Sequence, residues 1–322
     1  MNLTPQKIYE KLINNHLDKK SSIDLLISII ENSNDEQLRL DSIDVLNKIS
    51  VKDEKIFKIF ENLLVSDTNP ELRNSALNYL FINHQERVLM PIKWAIKHET
   101  TYKCLVALIK TLAKVENSAS KKILIEELKK IRKVKYLNIE RRYENKKFKK
   151  GLKRILKTSN LETLSHSQIS EIIVNFLTVK HLSEKFPNVY FEINPKSLQV
   201  EELDLSDYLE YEVKGTPWGW KNNISNISEI EGLSLLKNLK KLDLSNNQIE
   251  DIDKLKDLKL LTHLIISNNK LKDLNNLHAI QSLPHLEFVD LCGNEIVNHI
   301  KKSEFKPEIK VVLKRYFVER FE

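Results

Sequence analysis

The sequence predicts two repeat-built solenoids in series: an all-α superhelix, then a short α/β coil with a parallel β-sheet and a helical cap. Three observations predict it. A helical pattern in the N-terminal half recurs at a displacement of 34 residues. An aliphatic-x-aliphatic unit followed by asparagine recurs in the C-terminal half at spacings of 22 and 25 residues. Only five glycines and eight prolines punctuate 322 residues, which argues against an all-β or collagen-like chain.

The helical segments come first. SSIDLLISII (21–30), LRLDSIDVLNKI (38–49), EKIFKIFENLLV (54–65) and ELRNSALNYLFI (71–82) carry apolar residues at helical spacing. Two of them correspond: Arg39, Ser42, Leu46 and Ile49 match Arg73, Ala76, Leu80 and Asn83. The small residue lets helices approach, and the leucine fills the space between them. TYKCLVALIKTLAKV (101–115) is a weaker copy, and SKKILIEELKKIRK (120–133) a further helix. One helical hairpin cannot bury its apolar face alone, so such hairpins stack. SDTNPELRNSAL (66–77), with Asp67 six residues before Arg73, resembles the short form of the HEAT-repeat family. The resemblance implies an α-solenoid in which that pair bridges adjacent repeats. In the first copy Ser33 stands at the aspartate position.

SHSQISEIIVNFLTVKHLSEKF (165–186) predicts another helix, stopped by Pro187, and VYFEI (189–193) is β-prone. The expected layout is a helical region over 1–160 and a second region over 161–322, with the boundary near TSNLETLS (158–165). In the second region, 161–197 is an N-terminal cap, 198–300 about four repeats, and 301–322 a helical C-terminal cap.

LDLSNNQIEDI (242–252), LIISNNKLKDL (264–274) and VDLCGNEIVNHI (289–300) share one plan. A strand with period-two burial enters a turn, and Asn247, Asn269 or Asn294 sits just beyond it. Stacked turns leave backbone groups facing the interior. An asparagine carries two donors and an acceptor, so it can satisfy its own coil and the next. These three residues are expected to form a structural ladder. LKKLDLSNNQIEDI (239–252) fills LxxLxLxxNxIxxI and resembles the leucine-rich repeat family. The 22-residue spacing is similar to its intracellular, phosphatase-regulator-like class. The resemblance implies a horseshoe with a parallel sheet, and it implies that EIKVVLKRYFVERF (308–321) is part of a helical cap. In the first repeat Asn222, Ile224 and Ile227 match Asn247, Ile249 and Ile252, with DYLEYEVKGTPWGWK (207–221) inserted ahead of them.

Chemistry-bearing motifs are absent. There is no GxxxxGK[ST], GxGxxG or HExxH, and the nine histidines show no ligand spacing. Cys104 and Cys292 lie too far apart for a disulfide framework or a zinc knuckle, and Cys292 reads as packing. No cofactor, metal or catalytic residue is expected. The start MNLTPQKIYEKL lacks a signal-peptide h-region, and no apolar run reaches the roughly 20 residues needed to span a bilayer. A reducing, cytoplasmic setting is expected.

Binding surfaces remain. Residues flanking the buried leucines of each strand point to the opposite, concave face. They form three rows: Glu202, Lys241, His263 and Phe288; Asp204, Asp243, Ile265 and Asp290; Ser206, Ser245, Ser267 and Cys292. Ile265 and Phe288 beside charges suit a protein-binding patch with an apolar centre. The insertion adds Tyr208, Tyr211, Trp218 and Trp220, either as interface anchors or as a plug for the solenoid.

The net charge of +7 has a local source: residues 129–157 carry 14 Lys or Arg against Glu140 and Glu144. Lys146, Lys147, Lys149, Lys150, Lys153 and Arg154 lie mostly off an apolar stripe of Phe148, Leu152, Ile155 and Leu156. A solvated helix face or an anionic partner both fit that pattern. The expected function is a non-enzymatic protein-binding scaffold or adaptor. One alternative is a nucleic-acid-binding protein working through 129–157, and another is a regulatory subunit of an enzyme such as a phosphatase.

Overall fold

The computed structural model describes residues 3–131, 153–154, 163–211 and 217–314, with 208–211 and 217–220 as backbone alone. The chain divides into two compact units, Met1–Glu127 with Ser165–Ser170, and Leu128–Leu164 with Glu171–Glu322. The boundary expected near 158–165 lies largely outside the described residues.

The N-terminal part is built of α1 (Pro5–Ile13), α2 (Lys19–Asn32), α3 (Glu36–Ile49), α4 (Glu54–Ser66), α5 (Pro70–Asn83), α6 (Leu89–His98), α7 (Tyr102–Val115) and α8 (Ser118–Ile131). Side chains cap the starts of several of these helices. Asp18, Asp35, Asp53 and Asn69 accept the backbone N–H of Ser21, Leu38, Lys55 and Glu71 at 2.9, 3.1, 2.8 and 2.8 Å. Each such cap is worth about 1 kcal/mol. Helices pack on their chain neighbours and on alternate helices: α1 on α3, α3 on α5, α5 on α7, and α4 on α6. The sequence did not predict α6; Pro91 stands in its first turn, where no intrahelical N–H bond is lost, and is buried with Ile92, Ala95 and Ile96.

Arginines tie successive hairpins together, though not as expected. Asp67 and Arg73 were expected to form the bridge. Instead the Asp67 carboxylate accepts from Arg39 at 2.5 Å, and Arg73 donates to the backbone carbonyl of Asp67, at 2.8 Å, and not to its carboxylate. The Arg73 guanidinium reaches forward to Glu99 through two bonds of 2.8 and 2.9 Å. Both arginines occupy the fourth position of their helices, beside the loop that precedes the helix. From there Arg73 serves the Asp67 and Thr68 carbonyls of that loop together with Glu99 in the next, and Arg39 serves the Ile30 carbonyl in the last turn of α2 together with Asp67. The same position in α7 is Leu105, so the series ends.

The second unit holds most of α9 (His166–Lys185), then β1 (Tyr190–Ile193), β2 (Val200–Asp204), β3 (Tyr208–Tyr211), β4 (Pro217–Trp220), β5 (Lys241–Asp243), β6 (His263–Ile265), α10 (Asn275–Gln281), β7 (Phe288–Asp290) and β8 (Lys310–Val312). The main sheet runs β1-β2-β5-β6-β7-β8, antiparallel at β1 and parallel elsewhere. Leu203, Leu242, Leu264, Val289 and Val311 stand in one register, all buried. Asn175 of α9, itself buried, accepts the Val200 N–H at 2.9 Å and so fixes where β2 begins. Within the insertion 207–221 the strands β3 and β4 pair antiparallel, Tyr208 with Trp220 and Glu210 with Trp218.

The expected helix over 308–321 is corrected over its described part. Residues 310–312 form β8, parallel to β7. Ile309 and Val311 are buried while Lys310 is exposed, a period of two, and β7 offers an edge with unpaired backbone groups. The two coil lengths also have distinct structures. The coil from Leu242 to Leu264 returns through a 3-10 turn at Asp253–Asp257, whereas the longer one from Leu264 to Val289 accommodates α10.

Gly293 closes the third turn with φ +75°, and a Cβ there would lie 2.0 Å from Oδ1 of Asn268. Gly293→Ala therefore strains the backbone and displaces that side chain. It is expected to lower unfolding free energy by about 1–2 kcal/mol in urea denaturation. A midpoint equal to the parent's refutes this.

Candidate functional site

The open face of the sheet is set by the turns behind it. Asn247 accepts the Ile224 N–H at 2.9 Å and donates to the Leu205, Leu244 and Ser245 carbonyls at 3.0, 3.1 and 3.2 Å. Asn269 accepts from Ile249 at 2.9 Å and donates to Leu244, Ile266 and Ser267 at 2.9, 3.1 and 3.3 Å. Asn294 accepts from Leu271 at 3.1 Å and donates to Ile266 and Leu291 at 2.9 and 3.0 Å. Each amide thus joins its own turn to the coil that precedes it. Asn222 begins the series by donating to Leu205 at 2.8 Å.

The residue before each of the three main rungs is left-handed: Asn246 (φ 59°), Asn268 (φ 54°) and Gly293 (φ 75°). Asparagine and glycine tolerate that conformation best. Sequence reasoning missed a further rung on the return side. Buried Asn276 accepts from Ile252 at 3.0 Å and donates to Glu250 and Asp273 at 3.1 and 3.0 Å. No repeat marks it, since it stands on α10, which the coil ending at β6 lacks.

With turns held this way, the strands present two rows. Glu192, Glu202, Lys241, His263, Phe288 and Lys310 form one, and Tyr190, Asp204, Asp243, Ile265, Asp290 and Val312 the other. Tyr190 and Glu192 enter through the antiparallel pairing of β1, and Lys310 and Val312 through β8; neither pairing is marked by the repeat. The expected third row is corrected in part, Ser206 and Cys292 being half-buried. Ser245 and Ser267 are buried, because the strands end at Asp243 and Ile265 and the chain turns inward. Asp290 is also buried, at 3% exposure.

The aspartates help make that turn. Asp204, Asp243 and Asp290 accept the backbone N–H two residues on, from Ser206, Ser245 and Cys292, at 2.8, 2.8 and 3.0 Å. Burial pushes the Asp243 carboxyl above its usual range, and like-charged Asp204 and Asp290 add to this against the Ser245 hydrogen bonds. Lys241 is engaged by Glu202 at 2.7 Å. His263 and Phe288 stack at 5.7 Å between ring centroids. Tyr190, the Asp204–Asp243 pair, Ile265 and Phe288 line a depression of about 440 Å³. It offers carboxylate acceptors at one side and an apolar seat at the other.

The other expected sites differ in standing. Lys146, Lys147, Lys149 and Lys150 lie outside the described residues, as do the side chains of Tyr208, Tyr211, Trp218 and Trp220. Lys153 and Arg154 are exposed. Arg154, expected to meet an anionic partner, donates to the Pro195 and Lys196 carbonyls, the latter at 3.1 Å. Guanidinium donors satisfy turn carbonyls that no backbone N–H reaches.

Among the described residues no helix is long and apolar enough to cross a membrane. No curated protein matches the chain. Residues 237–296 match the family model described as Leucine rich repeat, and the parallel sheet with its asparagine-joined turns fits a domain of that kind.

Proposed function

We propose that this chain is a non-enzymatic interaction protein that seats a protein partner on the open face of its parallel sheet. The observation that carries the reading is the depression of about 440 Å³, where half-buried Ile265 and Phe288 stand beside carboxylates. Side chains already held by a sheet lose little conformational entropy on binding. The match of residues 237–296 to leucine rich repeats supports the same reading, since such repeats commonly bind proteins.

The helical region is read as a HEAT-like solenoid, supported by the Arg39–Asp67 and Arg73–Glu99 pairs between hairpins. The repeats are read as the intracellular 22-residue class, and the molecule as a cytoplasmic adaptor. The two cysteines, Cys104 and Cys292, stand free, which suits a reducing setting. The β3–β4 strand pair with Trp218 and Trp220 is a further contact candidate.

Cross-linked capture from native lysate with the full chain tests the proposal. Phe288→Ala should reduce recovery of the specific protein partner at least about ten-fold, as removing a central anchor does. Capture unchanged by Phe288→Ala removes this face. Recovery of nucleic acid in place of protein, lost as salt rises, selects the reading built on 129–157 instead.

A further inference from the structure

The open face is chemically lopsided, and that restricts what fits it. This inference rests on the docking role proposed for the face. Asp204 and Asp243 stand directly opposite each other on β2 and β5. One oxygen of each takes an N–H from its own chain, from Ser206 and Ser245. The neighbouring cation, Lys241, is engaged by Glu202 in the adjacent row. Across β6 and β7 the same depression turns apolar, with Ile265 and Phe288. At the acidic end Tyr190, 38% exposed, stands opposite Asp204 and presents an aromatic wall.

The geometry points to an arginine-bearing segment of a partner protein as the occupant, its guanidinium bridging Asp204 and Asp243 and an apolar side chain two residues away resting on Ile265 and Phe288. Neighbouring strands stand about 4.8 Å apart, and the planar fork of a guanidinium can give each carboxylate its own nitrogen, whereas a lysine ammonium must share one nitrogen between them. Side chains two apart on an extended segment are separated by about 7 Å, one and a half strand spacings, which carries the second side chain from the aspartate pair onto Ile265 when the segment crosses the strands, with Phe288 on the next strand beyond. Tyr190 adds a ring face for the guanidinium. A metal ion is the weaker fit: among the described residues no group of three or more His, Cys, Asp or Glu could hold one.

The test uses the full chain and capped pentapeptides of sequence Gly-Arg-Gly-Phe-Gly, with lysine and citrulline counterparts. Titration is followed by NMR. The Ser206 and Ser245 amides, which donate to the two aspartates, report directly on the site. The arginine peptide should shift both amides saturably and bind at least about five-fold tighter than the lysine peptide. Citrulline, which keeps the shape without the charge, should bind at least about ten-fold more weakly. Asp204→Asn and Asp243→Asn keep the acceptor oxygen, so each should retain the parent's thermal unfolding while losing at least about ten-fold in affinity. Glu250→Gln, at an exposed turn position, should change nothing. Equal binding of arginine and lysine peptides overturns the inference, as does binding that leaves Ser206 and Ser245 unmoved or persists in both aspartate variants. If the peptides fail while lysate capture still depends on Phe288, only the arginine assignment falls. If both fail, the docking role falls with it.

Discussion

Asn269→Ala is expected to lower the unfolding free energy of the sheet-bearing unit by about 2–4 kcal/mol. The substitution leaves the Ile249 N–H, accepted by Asn269 at 2.9 Å in a buried site, without its partner. It also removes donors from the Leu244, Ile266 and Ser267 carbonyls. A buried group left unsatisfied costs about 1–3 kcal/mol. The carbonyl losses are partial, because Asn247 still donates to Leu244 and Asn294 to Ile266. Urea denaturation should show the loss, and the Ile249 amide should exchange with solvent much faster. The exposed neighbour Lys270, changed to alanine, should shift the midpoint little. Equal effects at 269 and 270 would mean that the amide does not join the coils.

The second large effect lies in the helical unit. Arg73 and Glu99 are 11% and 7% exposed, and two hydrogen bonds link them. Arg73→Ala leaves a carboxylate with little access to water, a change that costs about 3 kcal/mol. Glu99 also makes this unit sensitive to acid. Burial alone would raise its carboxyl, but the bonds from Arg73 and from the Thr100 and Thr101 N–H groups hold it below its ordinary value of 4.5. A depressed carboxyl contributes stability above the unfolded value of 4.5, and that contribution is lost as pH falls through the lower folded value. Glu99→Gln should therefore flatten the acid limb of a stability-against-pH curve. An acid limb identical in parent and variant would remove Glu99 from that role.

Some of this was legible in residues alone. Alternation within LDLS, LIIS and VDLC places Leu242, Leu264 and Val289 in a buried row, and the sheet holds them in one register. The helix caps Asp18, Asp35, Asp53 and Asn69 were not singled out in the sequence, although capping is a contact within one turn and so could have been found there. Less legible was where an arginine points. Asp67 and Arg73 are close in sequence, yet the carboxylate serves Arg39 and the guanidinium serves Glu99. Those choices depend on neighbouring hairpins, which spacing within one repeat does not describe.

The sequence by itself determined the periods: helical hairpins early, then strand-and-turn coils carrying an asparagine at each bend. Periodic burial and the hydrogen-bonding capacity of an amide are properties of short segments. Only the tertiary structure decided that Lys310–Val312 extends the sheet, that β1 brings Tyr190 opposite Asp204, and that Asp290 and Ser267 lie buried while Asp243 lines an open depression. Each of these depends on which backbone edge or side chain a distant segment meets. A free strand edge captures a segment of mixed preference, and close packing settles which polar groups keep contact with water.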